Sequence, residues 1–201
     1  MSGVSDREWD RRLRIRTIGR EDEADPDYSP YEPTPYAVLL RLADSGHVRR
    51  RHRLLDYGCG KGRVALFMAS VVGCCATGID QSQKLIDLAV ENRKSARLGD
   101  RVTLRRALAE QYYPVDEDVF FFFNPFSERV FAAVLRNLRR AREERPRPMT
   151  LICYYPSEEY IQCLDADGAF EPADIIDTND LFGGNDPRER IVVYRTAGSV
   201  E

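Results

Sequence analysis

The 201-residue chain is 43% hydrophobic and 31% charged with a net charge of −3, enough apolar material for one domain with a core and no overall electrostatic case for binding nucleic acid. No apolar run approaches the roughly 18 residues of a membrane span and the polar start does not read as a secretion signal, so a cytoplasmic location is expected. Five cysteines without C-x-x-C pairs, and His47 and His52 as the histidines, provide neither a disulfide framework nor a metal site.

Residues 1–33 read as a short N-terminal helix, a solvated acidic linker over 21–27 and an aromatic arm beginning at Tyr28, where Pro30, Pro33 and Pro35 forbid regular structure. Thr34 is the expected cap of a helix with Pro35 at its first position. That helix runs to Ser45, buries Val38, Leu39 and Leu42, and stops at Gly46. Residues 34–201 then read as a single α/β domain. Its first strand, 54–57, leads through Gly58, Gly60 and Gly62 into a helix over 64–72. Alternate glycines let the backbone approach a ligand closely, and the helix start offers unpaired N–H groups to an anionic end. A second strand, 75–79, ends in Asp80, where a βαβ unit puts a carboxylate that accepts hydrogen bonds from ribose hydroxyls.

A helix over 83–97 with apolar positions at Leu85, Ile86, Leu88 and Ala89 is ended by Gly99 and Asp100, and residues 101–105 alternate as an outer strand does. Residues 118–123 are apolar without a break, as a central strand covered on both faces requires. A helix over 128–142, a strand over 150–155, a helix over 157–164 and strands over 170–177 and 190–195 complete the chain. No helix separates the last two strands, so they are expected to pair antiparallel. The arginine runs at 11–16, 49–53 and 136–147 read as solvated surface.

The glycine loop is D-x-G-x-G-x-G from Asp56, not the G-x-G-x-x-G of dinucleotide sites. With an acid ending each of the first two strands, it resembles the motifs of the class I S-adenosylmethionine-dependent methyltransferases over about residues 34–195. The resemblance implies a three-layer Rossmann-like sandwich whose seven-stranded sheet is mostly parallel with its last strand antiparallel. It also implies a seat for S-adenosylmethionine. The backbone at Gly58, Cys59, Gly60 and Gly62 and the helix start would meet the methionine carboxylate, Asp56 the amine, and Asp80 with Gln81 the ribose. Ala107 and Leu108 would meet the adenine, in a stretch without the acid common there, and Tyr31 and Thr34 of the arm would close over the cofactor.

Asn124, Pro125 and Phe126 end the fourth strand and resemble a one-proline version of the motif that methyltransferases acting on planar or amide nitrogens carry there. On that resemblance the Asn124 oxygen accepts an N–H of the acceptor amine, Phe126 stacks on the acceptor, and Pro125 keeps Asn124 extended. In-line placement, not strong base catalysis, then supplies most of the rate. The expected activity is methyl transfer to a nitrogen of unknown identity, in RNA, protein or a small molecule, without metal or membrane. Three alternatives stand beside it. Asn124 and Pro125 end a buried strand with Phe126 in the core; the arm at 31–35 with Asn-Pro-Phe resembles lysine methyltransferases; or the domain binds the cofactor without catalysis.

Overall fold

The computed structural model describes residues 4–22 and 25–196. Seven strands, β1 (Arg53–Tyr57), β2 (Cys75–Asp80), β3 (Val102–Arg106), β4 (Val119–Phe122), β5 (Thr150–Tyr154), β6 (Phe170–Asp177) and β7 (Arg190–Thr196), form one sheet in the order β3-β2-β1-β4-β5-β7-β6. β7 runs antiparallel to β5 and β6, and the other pairings are parallel. Helices α3 (Arg63–Val71), α4 (Gln83–Ala96), α5 (Glu128–Glu144) and α6 (Glu158–Asp167) carry crossovers between parallel strands, whereas the loop between β6 and β7 can make only a hairpin. The register sets Asp56 between Gly78 and Phe121, and Tyr57 between Ile79 and Phe122, so β1, β2 and β4 reach one edge of the sheet together.

Side-chain alternation along β4 builds the core on both faces. Phe120 and Phe122 pack under α5 with Phe131, Val134 and Leu138, while Phe121 faces the opposite cluster formed by α3 and α2 (Tyr36–Asp44). Ser82, Ser127 and Ser157 open α4, α5 and α6, each side chain accepting the N–H three residues on. On α4, Leu85, Ile86 and Ala89 are buried as expected but Leu88 is exposed, because it falls outside the arc of the helix that meets β2 and β3.

The N-terminal segment is more firmly attached than a solvated linker. α1 (Asp6–Leu13) packs Trp9 on Tyr36 with ring centroids 5.7 Å apart, and edge-on to Phe67 at 5.4 Å. Thr34 does not cap α2, whose N-cap is Pro35. The α2 amide at Tyr36 instead donates to Asp6 Oδ1 at 3.3 Å, so a carboxylate on α1 supplies the missing acceptor. Glu21 of the acidic stretch pairs with Lys61 at 3.2 Å and Lys84 at 2.6 Å; residues 23 and 24 of that stretch lie outside the described residues. Two antiparallel bridges, Glu21 with Tyr31 and Tyr28 with Phe126, pin the arm at both ends.

Candidate functional site

At the carboxyl edge of the sheet a cavity of about 640 Å³ opens between the strand ends and the arm. It brings together Tyr31, Thr34, Asp56, Gly58, Cys59, Asp80, Gln81, Ala107, Asn124, Pro125 and Phe126. Gly60, Gly62 and Leu108 do not line it. Gly58 and Gly60 both take positive φ, and a Cβ on Gly58 would strike the Pro125 ring, one on Gly60 the Tyr31 ring. The glycines thus let Pro125 and Tyr31 lie on the loop, and Gly62 lets α4 approach through Ala89. The loop amides also differ from the anion cradle expected of them. Cys59 N donates to Ile79 O at 2.9 Å, Gly60 N to Asp80 Oδ2 at 2.9 Å and Gly62 N to Cys59 O at 2.8 Å, so these three close the loop itself.

Two carboxylates dominate the cavity's electrostatics. Asp56 is 2% exposed, and its Oδ2 has no hydrogen-bond partner. Burial pushes its pKa well up from the usual carboxylate range, opposed by the Ala65 backbone N–H and reinforced by the charge of Asp80. Asp80 accepts from Gly60 N through Oδ2 and from Ser82 N through Oδ1, both at 2.9 Å, which fixes its rotamer and leaves lone-pair capacity on each oxygen. An unmatched buried carboxylate fits an ammonium, and the fixed one fits paired hydroxyls. Ile79, Leu85, Ala107 and Ala109 supply an apolar wall beyond them suited to a flat base. The chemistry of these residues fits S-adenosylmethionine, which carries an amine, a ribose and a flat base. The Tyr28 hydroxyl donates to Glu110 at 2.8 Å and accepts from Ala109 N at 3.2 Å, tying the arm to this wall.

Asn124 is not extended. Its φ is +41°, a left-handed conformation that Asn tolerates better than most residues. The conformation persists because every polar atom of the residue that the turn needs is engaged. Nδ2 donates to Tyr155 O at 2.6 Å, Oδ1 accepts from Ser157 N at 3.1 Å, and the backbone O accepts from Ser29 Oγ at 2.6 Å. Pro125 O accepts from Ser29 N at 3.0 Å, and Phe126 is buried between Tyr57, Phe131 and Tyr160. The strand end therefore joins the arm, β5 and α6.

Several lining residues lay outside the motifs. Arg63, the first residue of α3, is 2% exposed despite its charge. Its Nε donates to Thr17 Oγ1 at 2.7 Å, its Nη1 to Thr34 O at 3.0 Å and to Asp6, and its guanidinium lies 4.3 Å from the Tyr36 ring. Past Asn124, Phe123 and Tyr154 stand with ring centroids 4.7 Å apart, and Tyr155, Phe182, Arg188, Glu189 and Glu32 complete that end. The Tyr154 hydroxyl donates to Glu189 Oε2 at 3.0 Å. Burial, with Glu189 second, holds that phenol in its protonated form. Among the described residues no group of histidines, cysteines and acids could hold a metal ion, and no helix is long and apolar enough to cross a membrane.

The sheet order, the antiparallel β7 and a glycine loop between two acid-ended strands together define a class I, Rossmann-like methyltransferase fold. Residues 54–144 match a family model described as a methyltransferase domain. Over 91 residues, 45% of this chain and 34% of the relative, the sequence is 40% identical to 27-O-demethylrifamycin SV methyltransferase of Amycolatopsis mediterranei (strain S699). Over 98 residues, 47% of this chain and 35% of the relative, it is 31% identical to methyltransferase GfsG of Streptomyces halstedii. The match thus spans about a third of the length of these curated relatives. An RNA methyltransferase of Salinibacter ruber, solved with S-adenosylhomocysteine, has the same fold at a TM-score of 0.60 and 21% identity, covering 85% of this chain and 97% of that one.

Proposed function

We propose that the protein transfers the methyl group of S-adenosylmethionine to a nitrogen of an acceptor held at the ring-lined end of the cavity. The observation that carries this reading is continuity: one cavity runs from Asp56 and Asp80, past Asn124, to Phe123, Tyr154 and Glu189. Bound in the first half, the cofactor would supply an electrophilic methyl on a sulfonium. Asp56 and Asp80 orient it, the arm excludes water above it, and Asn124 with Pro125 forms the sill across which the acceptor nitrogen approaches. The Asn124 amide would serve the acceptor indirectly: its bonds to Tyr155 O and Ser157 N support that role by fixing the chain at the far side of the sill. An amine acceptor must give up a proton before its lone pair can attack, and carboxylates stand at that end to receive it.

An oxygen acceptor is the second reading, favoured by the 40% identity over 91 residues to 27-O-demethylrifamycin SV methyltransferase. Tritiated S-adenosylmethionine incubated with the protein and cell extract fractionated into RNA, protein and small molecules tests both. Fragmentation of the labelled product in a mass spectrometer should give a methylamine fragment. A methoxy product favours the second reading, and no transfer to any fraction leaves a cofactor-binding module.

A further inference from the structure

The acceptor end has a chemistry of its own. Tyr154 and Tyr155 leave the end of β5 side by side, with ring centroids 6.2 Å apart, and Phe123 meets Tyr155 edge-on at 6.5 Å. The face of Tyr155 already carries a planar cation, since the Arg188 guanidinium lies 4.2 Å from its ring centroid. Two carboxylates approach the same rings from different parts of the chain. Glu189, on the loop entering β7, accepts from the Tyr154 hydroxyl at 3.0 Å. Glu32, on the arm, also lines the cavity, and its charge acts on the same hydroxyl.

We propose that this end selects an acceptor that is a protonated aliphatic amine with an apolar or aromatic body, its ammonium held between Glu32 and Glu189 and its body laid against Phe123 and Tyr155. The assignment deepens the methyl-transfer reading above and rests on it. Three arguments favour the cation over a neutral hydroxyl. The rings give the acceptor's body an apolar surface that excludes water, and where water is excluded a carboxylate attracts an ammonium more strongly. Glu189 Oε2 accepts from the Tyr154 hydroxyl at 3.0 Å and from Thr178 Oγ1 at 3.4 Å, and an ionised carboxylate offers acceptors alone, which suit a donor-only group such as an ammonium. Glu32 comes from the arm and Glu189 from the loop entering β7, so carboxylates from two separate segments line one cavity and give it negative charge for a cation to offset.

The test uses the full chain saturated with S-adenosylhomocysteine and two probes of matched shape, 2-phenylethylamine and 2-phenylethanol, titrated by calorimetry. The amine should bind about tenfold tighter than the alcohol or better. Glu189→Gln, which keeps an oxygen for the Tyr154 hydroxyl, and Glu32→Gln should each weaken the amine about tenfold and leave the alcohol and the unliganded melting temperature unchanged. Equal affinity for the two probes, no binding of the amine, or a Gln variant that keeps full amine affinity overturns the assignment. Failure of S-adenosylhomocysteine itself to bind, seen before either probe is added, overturns the methyl-transfer reading instead.

Discussion

Asp10 offers the sharpest energetic test of how the N-terminal segment is held. It is 6% exposed on α1 and accepts from Thr17 N at 2.6 Å, Thr17 Oγ1 at 2.7 Å and the Tyr36 hydroxyl at 2.7 Å, with Arg63 Nη2 at 3.9 Å. Asp10→Ala leaves three buried donors without an acceptor and strips one anion from a guanidinium that is itself 2% exposed. Hydrogen bonds to a charge contribute about 1.5 to 3 kcal/mol each, but bonds sharing one carboxylate do not add. Removing one partner of a buried ion pair costs about 3 to 5 kcal/mol, and we take about 4 kcal/mol for the whole substitution. Asp6, whose side chain is 40% exposed, pairs with the same guanidinium, and solvent screens that pair; Asp6→Ala should cost about 1 kcal/mol. Urea unfolding followed by far-ultraviolet circular dichroism measures both, with an unchanged slope marking a change in stability alone. A cost for Asp10→Ala below about 1.5 kcal/mol, or equal costs for the two variants, would refute the view that α1 is anchored through a buried charge.

Asp56 titrates above its ordinary range in the ligand-free protein, so the stability linked to it is full at low pH and is lost as pH rises through its raised folded value. Asp56→Asn should therefore raise the melting temperature near pH 8 and flatten its pH dependence; identical pH slopes for variant and wild type would contradict the assigned burial. Gly60→Ala must displace the Tyr31 ring at a positive φ, and should cost about 2 kcal/mol or more while speeding hydrogen exchange across 28–31. Adding S-adenosylhomocysteine to the wild type should slow exchange in the same residues, and protection confined to the 58–62 loop would make the arm a fixed strap. Cys59, buried and with its thiol pushed well up by burial, should resist iodoacetamide while exposed Cys75 reacts; the reverse order of labelling would disprove the packing of the loop.

Backbone features were legible because they follow from local spacing. The Asp56 loop, the acid ending β2, the unbroken apolar run of β4 and the helix-free hairpin of β6 and β7 are each written in a few neighbouring residues, and each strand lies within a residue of its expected place. Partnerships were less legible. Arg63 resembles any surface arginine until α1 and Thr17 are folded onto it across 46 residues of sequence. Asn124 was expected to be extended because proline restricts its neighbour, yet three long-range hydrogen bonds hold it left-handed. The Tyr154 to Glu189 contact spans 35 residues and belongs to no motif, so the acceptor end was missed although its individual rings were visible. Leu88 shows the converse, an apolar residue at a helical spacing that the helix turns toward solvent.

The arm is written long before some of its partners. Tyr31 and Tyr36 find Thr17, Glu21 and Asp10 earlier in the chain, but Tyr28 waits for Glu110, 82 residues on, and Ser29 for Asn124, 95 residues on. A ribosome releases residues 28–36 well before it makes those partners, so a nascent chain carries the arm's three tyrosines and three prolines before Glu110 and Asn124 exist. Closing loops of that length has an entropic cost that grows only slowly with length, but the contacts that offset it exist only once the strand ends are assembled. Tyr28 and Ser29 consequently reach their places over the cavity only after Glu110 and Asn124 have been made, whatever holds the rest of the arm.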